Sequence, residues 1–124
     1  MKVIRTLIVD SSADFRKRLC RFLDEQEGIE VIGEASDGHE AVESAKTLKP
    51  DLILLDFRMQ RMDRLRAMLK MNNKIKKTKV IMLSSFDLLE YREAAHEMEA
   101  SSYVIKRSIV DRLMPAIRKT FSAD

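Results

Sequence analysis

The chain has 124 residues, 45% hydrophobic and 35% charged, with a net charge of +3. That length fits one domain with a substantial core. No run approaches the ~20 apolar residues that a bilayer-spanning helix needs, the N-terminus lacks a signal-peptide pattern, and the single Cys20 excludes an intrachain disulfide, so a cytoplasmic protein is expected.

Taken in chain order, Val3 to Val9 reads as a strand and Ala13 to Glu25 as an amphipathic helix. Ser11 or Ser12 suits the cap of that helix, and Asp14 is favourable near its positive end. Gly28 is a plausible terminator. Cys20 falls in the helical pattern Phe15, Leu19, Cys20, Phe22, Leu23 and reads as a small, partly buried apolar residue. Ile29 to Ala35 is the second predicted strand, and Asp37 to Leu48 the second helix, stopped before Pro50. Asp51 to Asp56 is the third strand. Met62 to about Asn73 is the third helix, with Asn72 and Asn73 as turn formers. Lys79 to Leu83 and Asp87 to Met98 form the next strand and helix. Ser102 to Ile105 is the last strand. In the last helix, Ile109 to Phe121, the apolar positions Ile109, Leu113, Ala116, Ile117 and Thr120 keep helical spacing.

Strands that alternate with helices imply βαβ units, a parallel sheet and, through right-handed crossovers, helices on both faces. The expected fold is therefore a doubly wound α/β domain. There is no internal linker, low-complexity stretch or repeat, so residues 1–124 read as a single domain, or as the front piece of a longer protein.

Four of these strands end in polar groups. The run Leu52-Ile53-Leu54-Leu55 closes on Asp56, Leu7-Ile8-Val9 on Asp10, Val80-Ile81-Met82-Leu83 on Ser84, and Tyr103-Val104-Ile105 on Lys106. Open α/β sheets bind ligands at the carboxyl ends of their strands. If the strands are parallel, two carboxylates, a hydroxyl and an ammonium meet at one edge. A carboxylate is a competent nucleophile toward phosphorus, and the charged product needs an ammonium, a hydroxyl and a cation around it.

With these motifs the chain resembles a response-regulator receiver domain over essentially all of its length. Gly33-Glu34-Ala35-Ser36-Asp37-Gly38 is similar to the NarL/FixJ-type subgroup, whose members carry a C-terminal helix-turn-helix. The resemblance implies a CheY-like, flavodoxin-like sheet of five parallel strands in the order 2-1-3-4-5. It implies that a histidine kinase passes a phosphoryl group to Asp56. Lys106 would pair with one phosphoryl oxygen and Ser84 would hydrogen-bond another. Tyr103 would be the aromatic that moves inward on switching. Mg²⁺ would be held by Asp10, Asp56 and the backbone carbonyl of Arg58. The chain would then be a signalling domain rather than an enzyme, with at most slow self-phosphorylation and dephosphorylation. DNA would be reached only through an effector domain absent from this chain, and no membrane is involved.

The pattern also has departures. Ser11 stands where the family usually places a second acidic ligand, which should weaken Mg²⁺ binding. Asp14, three residues on, is a remote substitute. Gln60 and Arg107 replace usual prolines, and Arg64 and Ser102 replace usual glycines. A non-proline cis bond costs roughly 3 kcal/mol; the sequence leaves the 106–107 peptide open to either isomer, and a trans bond would put the reach of Lys106 in doubt. The alternative role is a phosphorylation-independent pseudo-receiver that acts as a protein-interaction module. A flavodoxin-like cofactor binder is disfavoured, because no Gly-rich loop follows the first strand.

Charge is segregated along the chain. From Arg58 to Lys79, nine basic residues face Asp63 alone, a segment charge of +8. From Asp87 to Glu99, five carboxylates face only Arg92, giving −4 with His96 neutral. The basic stretch suits nucleic acid or an acidic partner, but without interleaved aromatics a solvated helix and loop is the favoured reading. The acidic fourth helix beside the basic Lys106, Arg107, Arg112, Arg118 and Lys119 forms the expected output surface and suits a two-fold homodimer.

Overall fold

A strand that is apolar at every position has no face to give to water, so it must be covered on both sides. Leu52–Asp56 (β3) is such a strand up to its closing Asp56, and all five of its residues are buried. The computed structural model, which describes residues 2–56, 58, 62–75 and 78–122, places β3 at the centre of a five-stranded sheet. Ile4–Val9 (β1) and Lys79–Ser84 (β4) flank it, and Ile29–Ala35 (β2) and Ser102–Ile105 (β5) form the edges, in the order β2-β1-β3-β4-β5. Every pairing is parallel. The expected doubly wound topology is the one observed.

The period-2 alternation of a strand splits the core into two layers. Leu7, Val9, Ile53, Leu55, Val80 and Met82 face Gly38–Leu48 (α2), Met62–Ile75 (α3) and Leu89–Glu97 (α4). Ile8, Leu52, Leu54, Ile81 and Leu83 face Ala13–Asp24 (α1) and Ile109–Phe121 (α5). Each fully buried Leu or Ile in these layers contributes roughly 1.5–3 kcal/mol relative to an exposed one. At Gly33, opposite Leu7 where the β1–β2 register shifts, a Cβ would lie 2.8 Å from Leu48 Cδ1. The missing side chain there lets the end of α2 close onto the sheet.

The helix starts are set by short polar side chains. Ser12 caps α1 by accepting from the Phe15 amide at 3.1 Å. Asp37 caps α2 by accepting from the Glu40 amide at 2.8 Å, while the Glu40 carboxylate accepts from the Ser36 amide at 2.7 Å. This is nearly the reciprocal arrangement of a capping box.

Several boundaries differ from those expected. Helix α1 stops at Asp24, and Gly28, rather than terminating it, makes the turn into β2 with φ 83° and accepts from the Ile4 amide at 2.8 Å. Helix α3 runs through Asn72 and Asn73 to Ile75, because a weak helix former is tolerated once the helix has a face to bury. Helix α4 starts at Leu89 and not Asp87, because Leu88 keeps an extended backbone and Asp87 turns its carboxylate to Arg92. A short 3₁₀ turn, Lys106–Ser108, precedes α5 and has no counterpart in the sequence pattern.

Candidate functional site

In the β1–β3 pairing Val9 lies opposite Leu55, so the next residues, Asp10 and Asp56, emerge side by side at the carboxyl edge. Both are buried, at 2% and 8% exposure. Each carboxylate is fixed first by its own loop. Asp10 Oδ1 accepts from the Ser12 amide and Asp56 Oδ1 from the Arg58 amide, both at 2.8 Å. An Asp that bonds the backbone two residues on is a turn-forming device, and here it sets the direction of the second oxygen.

Those second oxygens converge on one cation. Lys106 Nζ donates to Asp10 Oδ2 at 2.7 Å and to Asp56 Oδ2 at 3.0 Å. It also sits 4.0 Å from the centroid of the Phe15 ring, whose π face favours a cation. The described residues contain no cis peptide, so the 106–107 bond is trans, and Lys106 reaches both carboxylates nonetheless. The expectation that a trans bond would compromise its reach is corrected. Lys106 itself opens the 3₁₀ turn that leads into α5.

One ammonium between two buried carboxylates leaves a formal net negative charge. Burial is the largest influence on Asp10 and pushes its carboxyl above the ordinary range. The Lys106 ammonium and the Ser12 amide pull the other way, and Asp56 adds repulsion. A cleft of about 240 Å³ opens over the trio, with Ser11, Arg58 and Ser85 at its edge. Asp14 does not replace the acidic ligand missing at Ser11. It is exposed and pairs with Arg18 at 3.0 Å.

Ser84 and Tyr103 form another cluster beside this one. Ser84 is fully buried at the end of β4. Its hydroxyl donates to the Phe86 carbonyl at 2.9 Å and accepts from the Phe86 amide at 3.1 Å. The half-buried Tyr103 donates its phenol to the same Phe86 carbonyl at 2.6 Å, with the Arg92 guanidinium 4.7 Å from its ring centroid. Two hydroxyls thus hold one carbonyl of the loop between β4 and α4.

The sequence motifs point to Asp10, Asp56, Lys106 and the Arg58 carbonyl; the structure brings the first three together and places the Arg58 amide, not its carbonyl, on Asp56. Ser84 and Tyr103 meet at Phe86 rather than on the cleft. Gln60 lies outside the described residues. Phe86 and Phe15 carry no local signal: Phe86 acts through its backbone, and Phe15 has the pattern of ordinary helix core. Cys20 is half-buried beside Glu34, and burial with that carboxylate pushes its thiol up to about 11. Its half-buried place is that of the small, partly buried residue expected.

The response regulator receiver domain family model matches residues 6–118. Response regulator protein VraR of Staphylococcus epidermidis is 35% identical over 123 residues, which is 98% of this chain and 58% of that protein. The chain therefore spans little more than half the length of this curated relative. Among solved structures, the receiver domain of the putative response regulator NarL from Mycobacterium tuberculosis superposes with a TM-score of 0.85 at 27% identity, covering 100% of both chains. CheY6 in complex with the P1 domain of CheA3 from R. sphaeroides gives a TM-score of 0.82 at 28% identity, covering 99% of this chain and 100% of that one. A CheX–CheY–BeF3–Mg complex from Borrelia burgdorferi gives 0.80 at 26% identity, covering 95% and 89%.

The raised Asp10 carboxyl carries a pH signature. A carboxyl whose folded value lies above its unfolded one favours the fold while protonated, and that contribution is lost as pH rises through the folded value. Replacing Asp10 by Asn removes the loss. Urea unfolding from pH 4 upward should therefore show Asp10→Asn gaining stability relative to wild type as pH rises. A constant or shrinking difference would contradict the cost of ionising Asp10 in place.

Proposed function

The chain belongs to the response regulator receiver domain family, and from that membership we propose that Asp56 is its phosphoacceptor. The observation that carries this reading is the convergence of Lys106 on Asp10 and Asp56 at the sheet edge. A phosphoryl group on Asp56 gives an acyl phosphate, and the new charge needs a partner. Lys106 is within reach of that oxygen and can turn from Asp10 to a phosphoryl oxygen without leaving the cleft. Arg58 and Ser85 at the cleft edge add donors. The donor is a histidine kinase, as the CheA3 P1–CheY6 complex supports for a neighbour. The chain then works as a signalling domain with at most slow self-phosphorylation and dephosphorylation. It is the N-terminal part of a longer cytoplasmic regulator whose effector domain binds DNA.

The oxygen-only donor set fits a hard cation. Mg²⁺ takes one or two carboxylates and keeps several waters, and Asp10, Asp56, the Arg58 carbonyl and the exposed Ser11 hydroxyl are of that kind. Once bound, Mg²⁺ supplies positive charge against the phosphoryl oxygens. The pocket is weakened because Ser11 brings no charge and Lys106 already occupies the second oxygen of each carboxylate. The same two facts favour the second reading, a pseudo-receiver that signals by binding alone.

The switch follows from the Phe86 carbonyl. If Ser84 turns its hydroxyl toward a phosphoryl group, Tyr103 becomes the remaining side-chain donor on that carbonyl, and the loop into α4 is free to repack. Changes at α4, β5 and α5 are then the output, with a homodimer through these elements as one form of it. Exposed Leu89 and Val110, at 74% and 75%, lie on this side.

Incubation with Mg²⁺ and acetyl phosphate should add one phosphoryl mass to the wild type and none to Asp56→Ala. No mass gain at saturating donor favours the pseudo-receiver. In a Mg²⁺ titration followed by NMR, Ser11→Asp should bind on the order of tenfold more tightly, since affinity tracks the number of charged ligands. Equal affinity would show that Ser11 is not a ligand position. Sedimentation with and without beryllofluoride should show dimer only with the mimic. A monomer under both conditions removes the dimer from the account.

A further inference from the structure

A cavity of about 520 Å³ lies between α2 and α3, on the face of the sheet that carries those helices. It is within the range of small-molecule sites, roughly 300–1,000 Å³. Its inner wall is apolar: Val42, Ala45 and Ile53 are buried, with the half-buried Met68 beside them. Its rim is cationic, formed by Lys46, Lys49 and Arg64, and no carboxylate lines it among the described residues.

These cations are not equivalent. Arg64 is engaged across the helix pair, donating to His39 Nδ1 at 2.7 Å and lying 3.7 Å from Glu43 Oε2. It ties α3 to α2 at one end of the cavity, from a position where the family usually has glycine. Lys46 and Lys49 are exposed and have no ion-pair partner among the described residues. The cavity thus offers an apolar body site and two uncommitted ammonium groups at its mouth.

We propose that the α2–α3 cavity binds a small amphipathic anion, its apolar part against Ala67 and Met68 over the buried Val42, and its carboxylate or phosphate between Lys46 and Lys49. A neutral ligand would leave the rim charges unused, and a cation would be repelled. A cavity of similar size, about 510 Å³, on the other face of the sheet has Glu27 and Asp51 beside Lys2 and Arg118. It therefore selects no sign of charge. The buried Ile53 behind this wall is on β3, three residues before Asp56. The binding itself is independent of phosphorylation.

The probe is 8-anilinonaphthalene-1-sulfonate, an apolar body with one anionic group, titrated into the folded chain with circular dichroism confirming that the fold is unchanged. Saturable one-site fluorescence is expected, displaced by decanoate or decyl phosphate and not by the uncharged octyl glucoside. Lys46→Glu with Lys49→Glu should weaken the probe at least tenfold. Ala67→Phe, from an exposed position of the lining, should block it by filling the cavity. No saturable binding overturns the proposal, as does affinity unchanged in both variants. Displacement by an acidic amphipathic peptide but not by decanoate or decyl phosphate also overturns it, in favour of a protein partner.

Discussion

The Lys106 ammonium held between Asp10 and Asp56 is the interaction on which the rest of the site depends. Two carboxylates at 2% and 8% exposure are costly neighbours. Without a cation between them, burial and mutual repulsion would drive one toward its neutral form. Lys106 comes from the far end of the chain, 96 residues from Asp10. The pocket therefore exists only when β1, β3 and β5 have all reached their places in the sheet. Completion of the fold and assembly of the site are one event.

The same geometry defines what the pocket can do. Each carboxylate is fixed on one oxygen by its own loop and shares the other with Lys106. A new charge on Asp56 gives Lys106 a competing partner, and a cation arriving at the carboxylates must compete with Lys106. Ser11 adds no charge on the cation's side of that competition. The neighbouring cluster has a related logic: Ser84 and Tyr103 both donate to Phe86, so a change at one hydroxyl is felt by the other through a single carbonyl.

Much of this is legible in the sequence because it follows from period and position. An all-apolar run such as Leu52 to Leu55 requires cover on both faces, and the polar residue that ends it must lie at the sheet edge. Asp10, Asp56 and Lys106 are legible in this way. What stays hidden depends on backbone groups or on tertiary context. The Phe86 carbonyl has no side-chain signature, and Phe15 beneath Lys106 resembles any core residue of an amphipathic helix. The trans peptide after Lys106 accords with the absence of proline at 107. That Lys106 still reaches both carboxylates does not follow from the sequence, because that depends on where β1 and β3 set Asp10 and Asp56. Helix ends slip for a similar reason. Asp87 resembles a first-turn acid until Arg92 claims it, and Asn72 and Asn73 resemble a stop until α3 is seen to continue.

A double-mutant cycle on Asp10 and Lys106 tests the shared counter-ion most directly. Stabilities of wild type, Asp10→Asn, Lys106→Met and the double variant would be measured by urea unfolding at neutral pH. The account predicts that Lys106→Met is markedly more destabilising when Asp10 is charged than when it is Asn, with a coupling of about 1 kcal/mol or more. Effects that add to within about 0.5 kcal/mol would show that Lys106 is not the cation that neutralises the pocket, and would contradict the account at its base.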